Sequence, residues 1–193
     1  MGQVTTGFRS FLGNHLGYRA FQYLMGAHSI RKILAKDFIC PTPRCKILDI
    51  GCGPADILAY LPDVAYTGFD ISSSYIDKAK TRFGSRASFI CRELTSHDVE
   101  AMPKVDIVLA LGLLHHLDDE EAKHVFDLAC EALKPGGRML TLDPCIEEGQ
   151  NPIARFLINN DRGQNVRKKN EYIALVPQLL ELTRAEVRHK VWI

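Results

Sequence analysis

Apolar and polar positions follow two rhythms along this chain. Across residues 45–143, short runs of β-branched and aliphatic residues take turns with segments whose apolar positions recur every three or four residues. The runs are Lys46–Ile50, Ala65–Asp70, 88–91, Val105–Leu111 and 138–143. Strands alternating with helices predict an α/β fold with a parallel sheet. Val105–Leu111 is almost unbroken by polar residues, as suits a strand covered on both faces.

The helical segments carry their own punctuation. Residues 54–60 follow the first strand, with Pro54 at a favourable first-turn position. The second helix opens in the hydroxyl cluster Ser72, Ser73 and Ser74 and places Ile76, Ala79 and Phe83 on one face before Gly84 stops it. Asp118 with Glu121 forms a capping-box pattern ahead of Ala122, Val125, Phe126, Ala129 and Leu133. Lys134-Pro135-Gly136-Gly137 then breaks the helix and aims the fifth strand. Outside this region, residues 17–38 read as two short helices through Tyr18, Phe21, Leu24, Met25, Ile30, Ile33 and Leu34. Beyond the fifth strand, 151–160 reads as a helix, 161–169 as a polar loop and 171–182 as another helix. Residues 185–193, with Val187, Val191, Trp192 and Ile193, read as a sixth strand.

The glycine turn after the first strand carries the chemistry. Residues 47–58 read ILDIGCGPADIL, a strand running into Gly51 and Gly53 with Asp49 just before the turn. Glycine there lets the backbone bend or a ligand approach closely. This is the opening of a nucleotide site at the carboxyl end of a parallel sheet. A dinucleotide needs a bare helix N-terminus for its pyrophosphate. Here the third glycine position holds Asp56, which would repel one. S-adenosylmethionine has no phosphate and carries a sulfonium and an ammonium, which Asp49 and Asp56 suit. Asp70 follows Gly51 by 70 − 51 = 19 residues, which puts a carboxylate at the second strand's tip to hold the ribose hydroxyls.

Four motifs in order resemble the class I S-adenosylmethionine-dependent methyltransferases: LDIGCGP (48–54), GFD (68–70), DIVLALGLLHHL (106–117) and LKPGG (133–137). Ala55 departs from the commoner glycine of the first motif. The resemblance covers residues 45–143 and implies a Rossmann-like, three-layer αβα sandwich with a mostly parallel sheet. It implies a helical flank or lid at 1–44 and a cofactor domain at 45–193. The family's seventh, antiparallel strand has no counterpart in the segments read here. That keeps a non-catalytic or truncated cofactor-binding domain as an alternative, with an NAD-dependent oxidoreductase less favoured because of Asp56.

Expected cofactor contacts sit at the strand tips. Asp49, Gly51, Cys52 and Gly53 face the methionine half. Asp70 holds the ribose and Ile71 covers the adenine. Glu93 and Leu94 lie near the adenine amino group, and Leu111 and Gly112 close the fourth strand. His115 and His116 follow at once, where the resembling enzymes line the space between cofactor and acceptor, so either could take a proton from a nucleophile. Asp143 could touch the acceptor. Arg162 and Arg167, in the polar loop, could clamp an anion or simply be solvated. Tyr18, Arg19 and Gln22 could form a lid. His97, His124 and His189 read as surface residues.

Composition narrows the rest. The chain has 193 residues, 46% of them hydrophobic, enough for one domain with a core. Its formal net charge of +1 argues against nucleic acid or membrane as partner, and leaves a small-molecule acceptor and a monomer or homodimer. Six cysteines without a C-x-x-C pair predict no metal site and a reducing, cytoplasmic location. The longest apolar run, 107–114, is too short to span a bilayer.

Overall fold

In a computed structural model, which describes residues 27–159 and 163–188, five parallel strands form one sheet in the order β3-β2-β1-β4-β5. They are β1 (Lys46–Ile50), β2 (Ala65–Asp70), β3 (Ala87–Cys91), β4 (Val105–Leu111) and β5 (Leu133–Leu142). The order reverses at β1, where connections leave for opposite faces and a crevice opens beyond the carboxyl ends. The α/β class, the three layers and the parallel sheet expected from the sequence are all present.

Period-two alternation divides the core into two layers. Ile47, Ile107 and Leu109 pack with Leu34, Ile39, Leu58, Ile76 and Ala79 on one face. Their sequence neighbours Leu48, Val108 and Ala110 pack with Val99, Ala122, Phe126 and Ala129 on the other. The first face is covered by the π-helical turn Leu34–Ile39, which continues from α1 (Ala27–Ile33), and by α2 (Ser73–Phe83). The second is covered by α3 (Ser96–Ala101) and α4 (Asp119–Ala132). Asp118 accepts from the amides of Glu120 and Glu121, and Glu121 returns the bond, so the capping box read from the sequence is formed.

Several elements differ from the sequence reading, each for a local reason. The helix at 54–60 is only a 3₁₀ turn, Asp56–Tyr60, because Gly51, Gly53 and Ala55 all have positive φ and the chain enters helical geometry late. The fifth strand starts at Leu133, not 138: Val105 pairs with Leu133, the register then slips, and Ile107 pairs with Arg138. The KPGG segment is therefore a bulge within the strand, with Gly136 at φ +76°. Asp106, the polar residue of β4, serves this end of the sheet by accepting from the Lys46 amide at 2.8 Å and from Lys134 Nζ at 2.6 Å.

The short helix α3 has no apolar periodicity to announce it; Thr95 and Asp98 cap each other instead. Past β5 come β6 (Cys145–Ile146), α5 (Pro152–Asn159), β7 (Arg167–Lys168) and α6 (Lys169–Ala174). β6 and β7 pair with each other, β7 lying within the expected loop 161–169. The helix expected at 171–182 ends at Ala174, three residues before Pro177, which disfavours helical backbone ahead of it. Residues 181–188 form no strand: Arg184 and Arg188 lie over the Phe38 ring and both pair with Glu186. The rest of the expected sixth strand, and the lid residues Tyr18, Arg19 and Gln22, lie outside the described residues.

Candidate active site

The turn after β1 is built by backbone amides that converge on β2. Gly51 and Cys52 both donate to the Phe69 carbonyl, at 2.8 and 3.0 Å. The Gly53 amide donates to Asp70 Oδ2 and the Ser72 amide to Asp70 Oδ1, each at 2.8 Å. The Asp70 carboxylate is thus fixed at the strand tip, half-buried, with lone pairs left for a diol. Gly51 is required twice over. Its φ is +70°, and a Cβ there would lie 2.8 Å from Leu113 Cδ1.

Asp49 sits beneath this turn with only 1% of its surface exposed. Tyr66 donates its hydroxyl to Asp49 Oδ2. Asp49 Oδ1 has no hydrogen-bond partner among the described residues. Burial pushes the Asp49 carboxyl up to about 7; the Tyr66 hydrogen bond opposes this, and the nearby Asp70 charge adds to it. A buried carboxylate with one bare oxygen is an electrostatic demand for a positive group. Cys52 is buried beside it, and burial together with Asp49 and Asp70 pushes its thiol far above the ordinary range. It is an inert wall, not a nucleophile.

On the β2–β3 side, Ile71 is 54% exposed just past the Asp70 tip, an apolar surface at the mouth of the crevice. Glu93 is exposed at the tip of β3. Leu94 turns inward and is 2% exposed, so its side chain belongs to the core. The loop between them is held by Arg92, which pairs with Asp98 and leans on the Phe69 ring at 5.5 Å. Asp56 also departs from the sequence reading. It pairs with Arg31 at 2.9 Å and Arg82 at 2.5 Å, so its charge tethers α1 and α2 to the glycine turn and is not offered to a ligand.

The other half of the site lies at the tips of β4 and β5, where Leu111 pairs with Leu142. Leu111 is half-buried, and the exposed Gly112, at φ +73°, donates to the Leu142 carbonyl at 2.7 Å. His115 is 6% exposed, and its Nδ1 lies 2.8 Å from Asp143 Oδ1. The same oxygen accepts the His115 backbone amide at 3.2 Å. The half-buried His116 ring lies against it with centroids 4.0 Å apart. Gly163 closes over this pair: a Cβ there would collide with the His115 ring and carbonyl. Asn165 donates to the His115 carbonyl at 3.0 Å.

Arg167 is no anion clamp. It is 7% exposed and donates to the carbonyls of Leu114, Leu117 and Asn165 and to Asp119. Arg162 lies outside the described residues. The residues that sequence reasoning missed are Tyr66, Gln150 and the pairing of Asp143 with His115. The last had a usable signal, since both follow the tips of adjacent strands. His97 and His124 are exposed surface residues, as expected, and His189 is outside the described residues. Among the described residues no cluster of His, Cys, Asp and Glu is arranged to hold a metal ion, and no helix is long and apolar enough to cross a membrane.

Comparison with known proteins agrees with this geometry. Residues 47–137 match the family described as a methyltransferase domain. The chain is 25% identical over 128 residues to the ubiquinone/menaquinone biosynthesis C-methyltransferase UbiE of Ruegeria sp. (strain TM1040), covering 62% of this chain and 50% of that protein. It thus spans about half the length of that relative. Among solved structures it resembles the plantazolicin methyltransferase BpumL, in complex with a triazolic desmethylPZN analog and SAH. That match has a TM-score of 0.60 at 20% identity and covers 86% of this chain and 70% of the other. It also resembles the cyclopropane synthase MmaA2 from Mycobacterium tuberculosis, with a TM-score of 0.62 at 19% identity, covering 81% and 61%. The resemblance to Rossmann-like, S-adenosylmethionine-dependent methyltransferases therefore holds, in the matched domain and in the fold.

Proposed function

We propose that this chain is an S-adenosylmethionine-dependent methyltransferase that moves a methyl group to an O, N or C nucleophile of a small molecule, releasing S-adenosylhomocysteine. The observation that carries the reading is Asp49: a buried carboxyl with one bare oxygen, placed under a glycine turn whose neighbour Asp70 is fixed to hold a diol. A ligand with both a positive amino-acid portion and a ribose answers both demands. When bound, the cofactor supplies an electrophilic methyl on a sulfonium. Asp49 then balances its positive charge, with Gly51, Cys52 and Gly53 forming the wall against the methionine half. Asp70 accepts from the ribose hydroxyls, Ile71 covers the adenine face, and exposed Glu93 is placed to accept from its amino group. Leu94 supports that edge through its backbone.

Leu111 and Gly112 lie between the cofactor half and the tips of β4 and β5, where the acceptor sits. Transfer to a good nucleophile is mostly a matter of positioning. His115, oriented by Asp143, is the group that receives a proton when the nucleophile must lose one. His116 shapes the turn by packing on it. The helical flank at 1–44 acts as the lid over this crevice, and its described part is anchored by Leu34 and Ile39 in the core and by Arg31 on Asp56. Six free cysteines support a reducing, cytoplasmic setting. Net charge of +1 supports a small-molecule partner, acting without nucleic acid or membrane, on a monomer or homodimer.

The test is calorimetric titration with S-adenosylhomocysteine, with NAD run beside it and Asp70→Ala as control. Micromolar binding of S-adenosylhomocysteine that is lost in the variant is the expected result. Binding of NAD alone would overturn the reading, and so would binding of neither.

A further inference from the structure

Three buried side-chain oxygens at the carboxyl end of the fold lack a donor among the described residues: Asp49 Oδ1, Asp143 Oδ2 and Gln150 Oε1. The cofactor reading uses the first. The other two lie on the acceptor side. Asp143 Oδ1 is occupied by His115, so Oδ2 is the free half of that carboxyl group. The Asp143 side chain is 4% exposed. Gln150 is anchored by its Nε2, which donates to the Cys145 carbonyl at 3.2 Å. A carbonyl can only accept, so the amide cannot be flipped, and the oxygen is the atom left over.

Both groups stand on the short stretch that leaves β5. Strand spacing places the Asp143 tip two strands from β1, about 10 Å from the methionine half of the cofactor site. Gly112 and Leu142, bonded to each other on adjacent strand tips next to Asp143, are exposed. Among the described residues Arg167 offers no charge to an anion here, because it spends its donors on carbonyls and on Asp119.

Resting on the methyltransferase reading, we propose that Asp143 Oδ2 and Gln150 Oε1 form a specificity element that selects an acceptor presenting O–H or N–H hydrogens, such as a hydroxyl, amine or ammonium, over one presenting a carboxylate or phosphate. An unpaired buried acceptor is satisfied by a donor and repels an anion, so the wall discriminates in both directions. Both residues lie beyond position 137, outside the segment that matches the methyltransferase family.

The experiment measures binding of three probes that share one ring, phenol, benzylamine and benzoate, to the full chain by ligand-observed NMR, with and without S-adenosylhomocysteine. In the wild type, phenol and benzylamine bind about tenfold or more tightly than benzoate. In Asp143→Asn an amide donor can replace Oδ2 while its oxygen still serves His115. The preference then collapses or inverts toward benzoate, with S-adenosylhomocysteine affinity unchanged. Gln150→Met weakens the two donor probes only, and decides the question if Asp143→Asn does not fold. Benzoate binding as tightly as the donors, no binding of either donor probe, or an equal loss of all three probes in both variants overturns the proposal. Failure of S-adenosylhomocysteine to bind the wild type would instead overturn the cofactor reading, and the probe ranking in the free protein still decides the acceptor wall.

Discussion

Asp49→Asn should make the protein more stable near pH 8 and weaken its hold on S-adenosylhomocysteine. The Asp49 carboxyl is raised from 3.8 to about 7 by burial. The native state therefore keeps a proton that the unfolded chain has already released. Between about pH 4 and pH 7 folding takes up this proton, so its contribution to stability falls as pH rises through that window and is level above it. At about 1.4 kcal/mol per pH unit, the gap amounts to about 4 kcal/mol of lost stability at pH 8, an upper limit because buried carboxyls relax. The amide keeps the Tyr66 hydrogen bond through its oxygen and carries no charge. Its NH₂ group faces the position of the bare oxygen unpaired, which returns about 1–3 kcal/mol of the gain. The net expectation is a stabilisation of about 1–3 kcal/mol at pH 8 that turns into a destabilisation of about 1–3 kcal/mol near pH 4, where only the unpaired amide is left to count.

Urea denaturation of both proteins across pH 4–8 reads this directly, since the difference between them isolates Asp49 from every other titrating group. The same logic governs binding. A cationic ligand requires the ionised carboxylate, and the ionised fraction falls from about ten-elevenths at pH 8 to about one-eleventh at pH 6. S-adenosylhomocysteine, whose ammonium is the relevant group, should bind about tenfold more weakly at pH 6 than at pH 8 in the wild type. In Asp49→Asn it should bind weakly with no such slope. A variant that is less stable than the wild type at pH 8, with the pH dependence of the wild type retained, would refute the account of Asp49 as a strained counter-charge.

Other positions separate architecture from recognition. Gly51→Ala should lose about 1–3 kcal/mol in chemical denaturation, from positive φ and from the clash with Leu113; adding Leu113→Ala restores the space but not the strain, so rescue should be partial. Arg167→Met should lose about 3–5 kcal/mol, because Asp119 and three carbonyls lose their donor; a shift in thermal midpoint of less than a degree would show that the arginine is dispensable to the fold. Asp56→Asn should cost under about 1 kcal/mol, as its arginine partners are partly exposed, and should change S-adenosylhomocysteine affinity by less than about twofold in calorimetry. A larger loss of affinity would return Asp56 to the cofactor site.

What could be read in the sequence was what local chemistry dictates. The strands β1, β2 and β4 are largely apolar runs of the kind a parallel sheet covered on both faces buries, and they appear where the pattern puts them. The glycine turn, Asp70 and the α4 capping box are likewise local. The errors share a cause, which is a partner far away in sequence. Asp56 looks like a ligand-facing acid until Arg31 and Arg82, from two different helices, are seen to neutralise it. Arg167 looks like an exposed clamp until it is found bonded to carbonyls about fifty residues earlier in the chain. The exception is the helix at Ser96–Ala101, which has no apolar rhythm and exists through a local cap, Thr95 with Asp98. The early start of β5 is set by its register against β4, which no window on 133–138 contains.

The asymmetry between the two halves of the site follows from the same physics. On the cofactor side, the demand for a specific ligand is written into a turn of a few residues, where φ, a buried acid and a strand tip are consecutive in sequence. Any chain that binds this ligand on this fold meets the same demand, so a family resemblance can carry it. On the acceptor side, Asp143 gains its meaning only through His115, and Gln150 only through the Cys145 carbonyl. Those oxygens are unfavourable in the free protein and become favourable only against the right donor. A bare buried acceptor that packing could have covered at no loss to the fold is evidence about what the missing ligand brings. Here that evidence points away from anions, against one of the two readings that the arginines of the polar loop had left open.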